Sequence, residues 1–254
     1  MKVSIIGTGN VATHIGTALK NAGHTIADVT GRNADATNEL ASLLNAKANF
    51  DIANTDADAE VVLLCVKDDA IGAVASLLPR SQRIIAHTSG FRSFNLLSAA
   101  GDNLGIFYPL QTMKKGVALD FKKVPMLVEG SNESTAATLS ALAATISDSV
   151  HSVNELQRQY IHVAAVFANN FTNHLWELAE NILHEQNLDL DILRPLIARS
   201  AENVAAHSPS QLQTGPAARG DFFTIDAHVN LLHNEQEMTK VYRVLTESIL
   251  KNNT

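Results

Sequence analysis

Four short runs gather side chains and backbone suited to chemistry: GTGNVA at residues 7–12, VTGRN at 29–33, HTSG at 87–90 and TGPAARGD at 214–221. The first has the spacing G-x-G-x-x-A. A tight turn requires its first glycine, a pyrophosphate can approach the backbone only over its second, and the small third residue lets a helix pack closely on a strand. The phosphates would then rest on the helix N-terminus, where free N–H groups and the helix dipole favour an anion. Gly7, Thr8, Gly9, Asn10 and Val11 are the expected dinucleotide contacts. The second run lacks the carboxylate that would hydrogen-bond the ribose 2′-hydroxyl of NAD. It carries Arg32 beside Asn33 instead, and a guanidinium forks well onto a 2′-phosphate. NADP is the cofactor this pattern predicts.

The third run places a ring, two hydroxyls and a glycine together. His87 and Thr88 are expected against the cofactor and Ser89 against the reacting group, with Val66 and Lys67 along the nicotinamide ribose. Asp68 and Asp69 read as helix caps, and Cys65 as an inert core thiol. In the fourth run two glycines and a proline argue against regular helix or strand, which predicts a stiff loop bearing Thr214, Arg219 and Asp221.

These runs need elements to hold them. Residues 2–6 (KVSII) form a β-branched apolar run before the first glycine, and residues 10–21 carry apolar side chains at helical spacing. Strands are predicted over 24–30, 61–66, 83–86, 104–107 and 126–128, with helical segments at 35–44 and 70–78. The run VVLLCV is apolar throughout, as expected of a central parallel strand buried on both faces. The alternation predicts an α/β fold with a doubly wound, mostly parallel sheet over residues 1–152. From residue 153 the alternation stops. A helix without glycine or proline is predicted over 154–186, another from Asp191 with Pro195 in its first turn, and one or two more over 224–250. This all-α region, 153–254, is the expected substrate and dimerisation domain; a helix so long and apolar needs cover on several sides, which predicts a homodimer.

Composition narrows the function classes. The chain has 254 residues and a net charge of -7, with no basic stripe for a nucleic acid to follow. No apolar run is long enough to span a bilayer and the first residues lack the features of a signal peptide, so no membrane partner is expected and the predicted location is cytoplasmic. A single cysteine excludes an internal disulfide. The 10 histidines show no zinc-helix spacing, so no metal is predicted, and no G-x-S-x-G elbow is present.

Along nearly its whole length the chain resembles a Rossmann-like NADP oxidoreductase family with a helical C-terminal domain of unknown function. That family is related to pyrroline-5-carboxylate reductase and to deazaflavin-dependent NADP reductases. The residues that carry the resemblance are IIGTGNVA at 5–12, HTSG at 87–90, YPLQT at 108–112, and TGPAARGD at 214–221 followed by Thr224 and His228. Tyr108 stands where the resemblance leads to the expectation of histidine. Val166 stands where related 3-hydroxyacid dehydrogenases carry a catalytic lysine, which argues against chemistry by that lysine. The resemblance implies NADPH-dependent reduction of a small carbonyl or imine compound bearing a carboxylate. Arg219 would orient the acid group, and Ser89 or Thr214 would hydrogen-bond the reacting atom. Alternatives are a non-catalytic NADP-binding or sensing protein and a deazaflavin-coupled reductase. For Arg219 and Asp221 the alternative is mutual pairing or capping of the next helix.

Overall fold

The computed structural model describes residues 1–252 and divides into two compact units, Met1–Ala168 and Asn169–Thr254. The first contains β1 (Lys2–Ile6), α1 (Asn10–Asn21), β2 (Thr25–Thr30), α2 (Ala34–Leu44), β3 (Lys47–Asn49) and β4 (Val61–Leu64). It continues with α3 (Ile71–Ala75), β5 (Ile84–His87), β6 (Leu104–Pro109), β7 (Met126–Gly130), α4 (Glu133–Ile146), β8 (Val150–Ser152) and α5 (Glu155–Ala165). The strands form one sheet in the order β3-β2-β1-β4-β5-β6-β7-β8, parallel throughout except where β6 meets β7. This is the mostly parallel α/β sheet expected from the sequence.

Burial on both faces accounts for the unbroken apolar run at β4. Val61 and Leu63 join one core with Ile15, Leu40 and Leu142, whereas Val62 and Leu64 join another with Ile71, Leu78 and Leu97. Helices therefore cover both sides, as parallel crossovers require. Two strands lie outside the sequence reading, β3 and β8. Each has three residues and sits at an edge of the sheet, where a short polar segment leaves no apolar signature. The expected helix at 70–78 is shorter than read: a 3₁₀ turn, Asp68–Ala70, leads into α3.

The second unit is helical, with α6 (Thr172–His184), α7 (Arg194–Ala206), α8 (Pro209–Leu212), α9 (Pro216–Arg219), α10 (Phe222–Leu231) and α11 (Gln236–Asn252). The helix expected over 154–186 is α5, a π-helical stretch Val166–Phe171, and α6. Pro195 lies in the first turn of α7, where its missing N–H costs nothing. Among the described residues of 169–252 the buried ones are Ala217, Ile225 and Thr246, and Phe223, Leu231 and Leu196 are strongly exposed. No helix among the described residues is long and apolar enough to cross a membrane.

Candidate functional site

Strands β1, β4, β5 and β6 run parallel, so their C-terminal ends share one sheet edge, with Ile6, Leu64, His87 and Ile106 in register across it. The chain leaves β1 toward β2 and β3 on one side and returns to β4 on the other, which makes the gap between β1 and β4 the switch point where ligands bind in such sheets. Over it lies the turn from Gly7 to Gly9. Gly7 has φ 120°, and a Cβ there would lie 2.2 Å from the carbonyl oxygen of Cys65. Glycine alone satisfies both constraints. Gly9 is the N-cap of α1 without a side-chain cap bond, and a Cβ on it would meet nothing within 4 Å. The first N–H groups of α1 are thus open to an approaching group, and these residues fit a dinucleotide pyrophosphate.

The neighbouring residues are placed as follows. Thr8 packs its methyl group against Gly31, and Val11 packs on the main core. Asn10 Oδ1 accepts from the Lys115 N–H at 3.1 Å, which ties the loop after β6 to the start of α1. Arg32 is exposed, and its guanidinium makes no hydrogen bond or ion pair among the described residues. The Asn33 side chain is engaged in capping α2, accepting from the Ala36 N–H at 2.9 Å. Val66 packs on the second core and Lys67 is exposed. Burial pushes the Cys65 thiol up to about 12, consistent with an unreactive core side chain.

At the end of β5 the structure departs from expectation. Neither Asp68 nor Asp69 caps a helix. Asp68 instead accepts the Ser89 hydroxyl at 2.7 Å, drawn there because that buried hydroxyl otherwise has only acceptor bonds, from the N–H groups of Phe91 at 3.2 Å and Arg92 at 3.0 Å. Ser89 therefore spends its donor on Asp68 and both lone pairs on its own loop. His87 is fully buried: Nδ1 accepts from the Ser89 N–H at 3.1 Å and Nε2 lies 3.2 Å from the Ser93 carbonyl oxygen, to which its N–H donates. Burial, the leading cause, lowers its pKa to about 4, so the ring is neutral near pH 7. Thr88 bonds back to the Leu64 carbonyl through its N–H at 3.3 Å. These side chains shape the loop.

The sheet edge also brings together a pair that the sequence reading did not join. Tyr108 Oη lies 3.1 Å from His162 Nδ1, the rings meeting edge-on at 62°. Both are half-buried, and the Phe91 ring lies 6.4 Å from the imidazole. A Cβ on Gly90 would fall 2.5 Å from His162 Nδ1 and 2.6 Å from Tyr108 Cζ, so this position has room only for hydrogen. Burial first, and the Asp68 charge second, hold the Tyr108 phenol above its ordinary value against the opposing Arg158 charge. One helical turn before His162, Arg158 is completely buried; it bonds Glu129 Oε2 on β7 at 3.2 and 3.3 Å and the Ser89 carbonyl at 3.4 Å. This pins α5 to the sheet.

In the second unit, the expected loop TGPAARGD contains the one-turn helix α9. Pro216 is tolerated at its first position, and Gly215 (φ 100°) and Gly220 (φ 65°) start and stop it by adopting left-handed conformations. Thr214 is exposed. Asp221 caps α10, accepting from the Thr224 N–H at 3.1 Å and hydroxyl at 2.7 Å; these bonds hold its carboxyl below the usual range. Arg219 is exposed and has no ion pair within 4.0 Å among the described residues. A cavity of about 770 Å³ in this unit is lined by Glu180, Asn181, His184, Glu185, Glu235 and Met238, none of them a site residue expected from the sequence. Among the described residues no cluster of three or more histidine, cysteine or acidic side chains could hold a metal ion.

Residues 2–88 match the family model described as NADP oxidoreductase, coenzyme F420-dependent, and residues 124–249 match DUF2520, a domain of unknown function. Among solved structures, a Bacteroides fragilis protein provisionally described as an NADP oxidoreductase is 34% identical, with a TM-score of 0.92 over 98% of both chains. A Thermotoga maritima protein is 22% identical, with a TM-score of 0.76 over 99% of this chain and 98% of its own. A reductive aminase from Aspergillus terreus, solved with NADPH and ethyl-5-oxohexanoate, is 15% identical, with a TM-score of 0.78 over 98% of this chain and 93% of its own. At those identities the last two likenesses concern the fold. No curated protein matches the sequence.

A glycine turn over the switch point of a parallel sheet, followed by a helical unit, defines the class of two-part dinucleotide-binding oxidoreductases. Within it, the chain belongs to the NADP oxidoreductase family of the Bacteroides protein, built from an F420-dependent-type NADP-binding part and a DUF2520 part.

Proposed function

We propose that the protein is an NADP(H)-dependent reductase of a small carbonyl or imine compound bearing a carboxylate. The observation that carries the cofactor choice is Arg32, exposed and without a hydrogen bond or ion pair among the described residues, just after β2 with no carboxylate beside it. Gly7 to Val11 would hold the pyrophosphate on the N-terminus of α1, Arg32 the 2′-phosphate, and Val66 with Lys67 the ribose of the nicotinamide. When bound, the reduced nicotinamide supplies a hydride. The keto ester and NADPH in the reductase of similar fold support the carbonyl or imine class. Arg219, an exposed guanidinium without an ion pair among the described residues, is the proposed anchor for the carboxylate, and Thr214 stays a proposed substrate contact. Ser89, its hydroxyl already saturated, holds the loop in shape.

A homodimer formed through the helical unit belongs to this reading. With three buried residues among those described in 169–252, that unit lacks the core an independent fold needs, while its apolar side chains lie exposed. A second copy would cover them. The test is NADPH oxidation by the full chain against a panel of keto acids, keto esters, cyclic imines and an oxidised deazaflavin. Turnover with a carbonyl or imine supports the reading. Turnover confined to the deazaflavin would replace it with a cofactor-coupling reductase, and tight NADPH binding with no turnover would replace it with a sensor.

A further inference from the structure

We infer that Tyr108 donates the proton in this reduction and that His162 reloads it; the inference rests on the reductase reading above. At the sheet edge that carries the glycine turn, the polar side chains of Ser89 and His87 are already committed. The Ser89 hydroxyl has three partners within its own loop and through Asp68, and both nitrogens of His87 bond the backbone. Tyr108 Oη differs. Its hydrogen bond to His162 Nδ1, at 3.1 Å, uses one of the three positions a phenol offers, and the side chain is only half-buried. The pair is also held in place. Gly90 leaves the space beneath it, Phe91 lies against the imidazole, and Arg158, four residues before His162, locks the same helix onto Glu129 and the Ser89 carbonyl. A structure that merely filled space here would not need a buried ion pair and an obligatory glycine around one phenol–imidazole contact.

The step balances as follows. The acceptor carbon gains a hydride, and with it two electrons, from the reduced nicotinamide, which becomes the oxidised cation. The π pair of the C=O or C=N bond moves to the heteroatom, which takes the proton from Tyr108 Oη. Oη recovers a proton from His162 Nδ1–H, and the imidazole regains one from solvent. The charged groups facing the pair are Asp68 from the turn after β4 and Arg158 on α5, the latter balanced by Glu129 on β7.

The experiment uses the full chain with NADPH and two probes, 1-pyrroline-2-carboxylate and ethyl-5-oxohexanoate. Tyr108→Phe should lower kcat by about 100-fold or more, the usual worth of a positioned acid, with NADPH affinity by fluorescence within about twofold of wild type. His162→Gln keeps a hydrogen-bonding group but has no ring to pass a proton on, so it should lower kcat while KM and NADPH affinity hold. In the ligand-free protein, NMR should show the His162 Nδ1 resonance move in Tyr108→Phe. Wild-type turnover with an undiminished kcat in Tyr108→Phe would overturn the inference and leave the reductase reading intact. An undiminished kcat in His162→Gln, or an unmoved Nδ1 resonance, would remove His162 from the relay. NADPH binding without oxidation by either probe or by the wider panel would overturn the reductase reading, and this inference with it.

Discussion

Replacing Arg158 by methionine would keep the apolar stem of the side chain and remove its charged head, stranding Glu129. Arg158 is fully buried and Glu129 has a side-chain exposure of 12%, so little water is available to take over. Removing one partner of a buried ion pair costs about 3–5 kcal/mol, because the other charge stays desolvated. For a chain of this size each kcal/mol moves Tm by about 2–4 °C, which gives a fall of about 6–20 °C. The pH dependence follows from Glu129. Burial raises its pKa above the ordinary carboxyl value, while Arg158 opposes that by charge and hydrogen bonding. A group with a raised folded pKa contributes stability that is fully present below its unfolded value and is lost as pH rises through the folded one. Without Arg158 the folded value rises further, so the variant keeps losing stability to higher pH than the wild type does. The gap between the two should be small near pH 5 and widest near pH 8, and Arg158→Met combined with Glu129→Leu should recover most of it. Urea and thermal melts followed by circular dichroism at both pH values measure this. A loss below about 1 kcal/mol, or one that does not change with pH, would refute the claim that this pair pins α5 to the sheet.

Cofactor choice can be read from melting shifts: NADPH should raise Tm more than NADH at equal concentration, a ligand at a hundredfold excess over its Kd being worth about 2.7 kcal/mol, and Arg32→Ala should shrink the difference. Equal wild-type shifts would sink the NADP assignment. Light scattering at micromolar concentration should report a homodimer, and charge placed at exposed apolar positions of the helical unit, as in Trp176→Glu, should dissociate it; a stable wild-type monomer would contradict the dimer. Gly90→Ala puts a methyl group 2.5 Å from His162 Nδ1, and it should cost about 1–3 kcal/mol and lower turnover while NADPH affinity holds. Arg219→Lys keeps charge but loses the planar fork, so it should raise KM for a carboxylate substrate and leave melting and NADPH affinity unchanged; an unaltered KM would remove Arg219 from substrate binding.

The glycine turn, the strands from β1 to β7 apart from β3, and the change to helices after residue 152 were legible in the sequence because each signal is local. A G-x-G-x-x-A spacing and the unbroken VVLL run act within a few residues, and burial on both faces of the sheet leaves them no alternative. The edge strands β3 and β8 were not, since three residues with a single apolar one among them take their conformation from a neighbour. In HTSG the end of a strand was legible and the hydrogen bonds were not: the sequence gives two hydroxyls and a ring, but only packing turns Ser89 onto Asp68 and His87 onto the backbone. The same holds for Asn33, whose side chain starts a helix, whereas for Asp221 the capping of the next helix, one of the readings of the sequence, is what the structure shows. Tyr108 with His162 and Glu129 with Arg158 are separated by 54 and 29 residues, and no local pattern links them. They meet because α5 folds back over β6 and β7. The tertiary structure therefore decides which polar groups are consumed in holding the sheet edge and which keep an atom free, since burial sets the cost of leaving any of them unpaired.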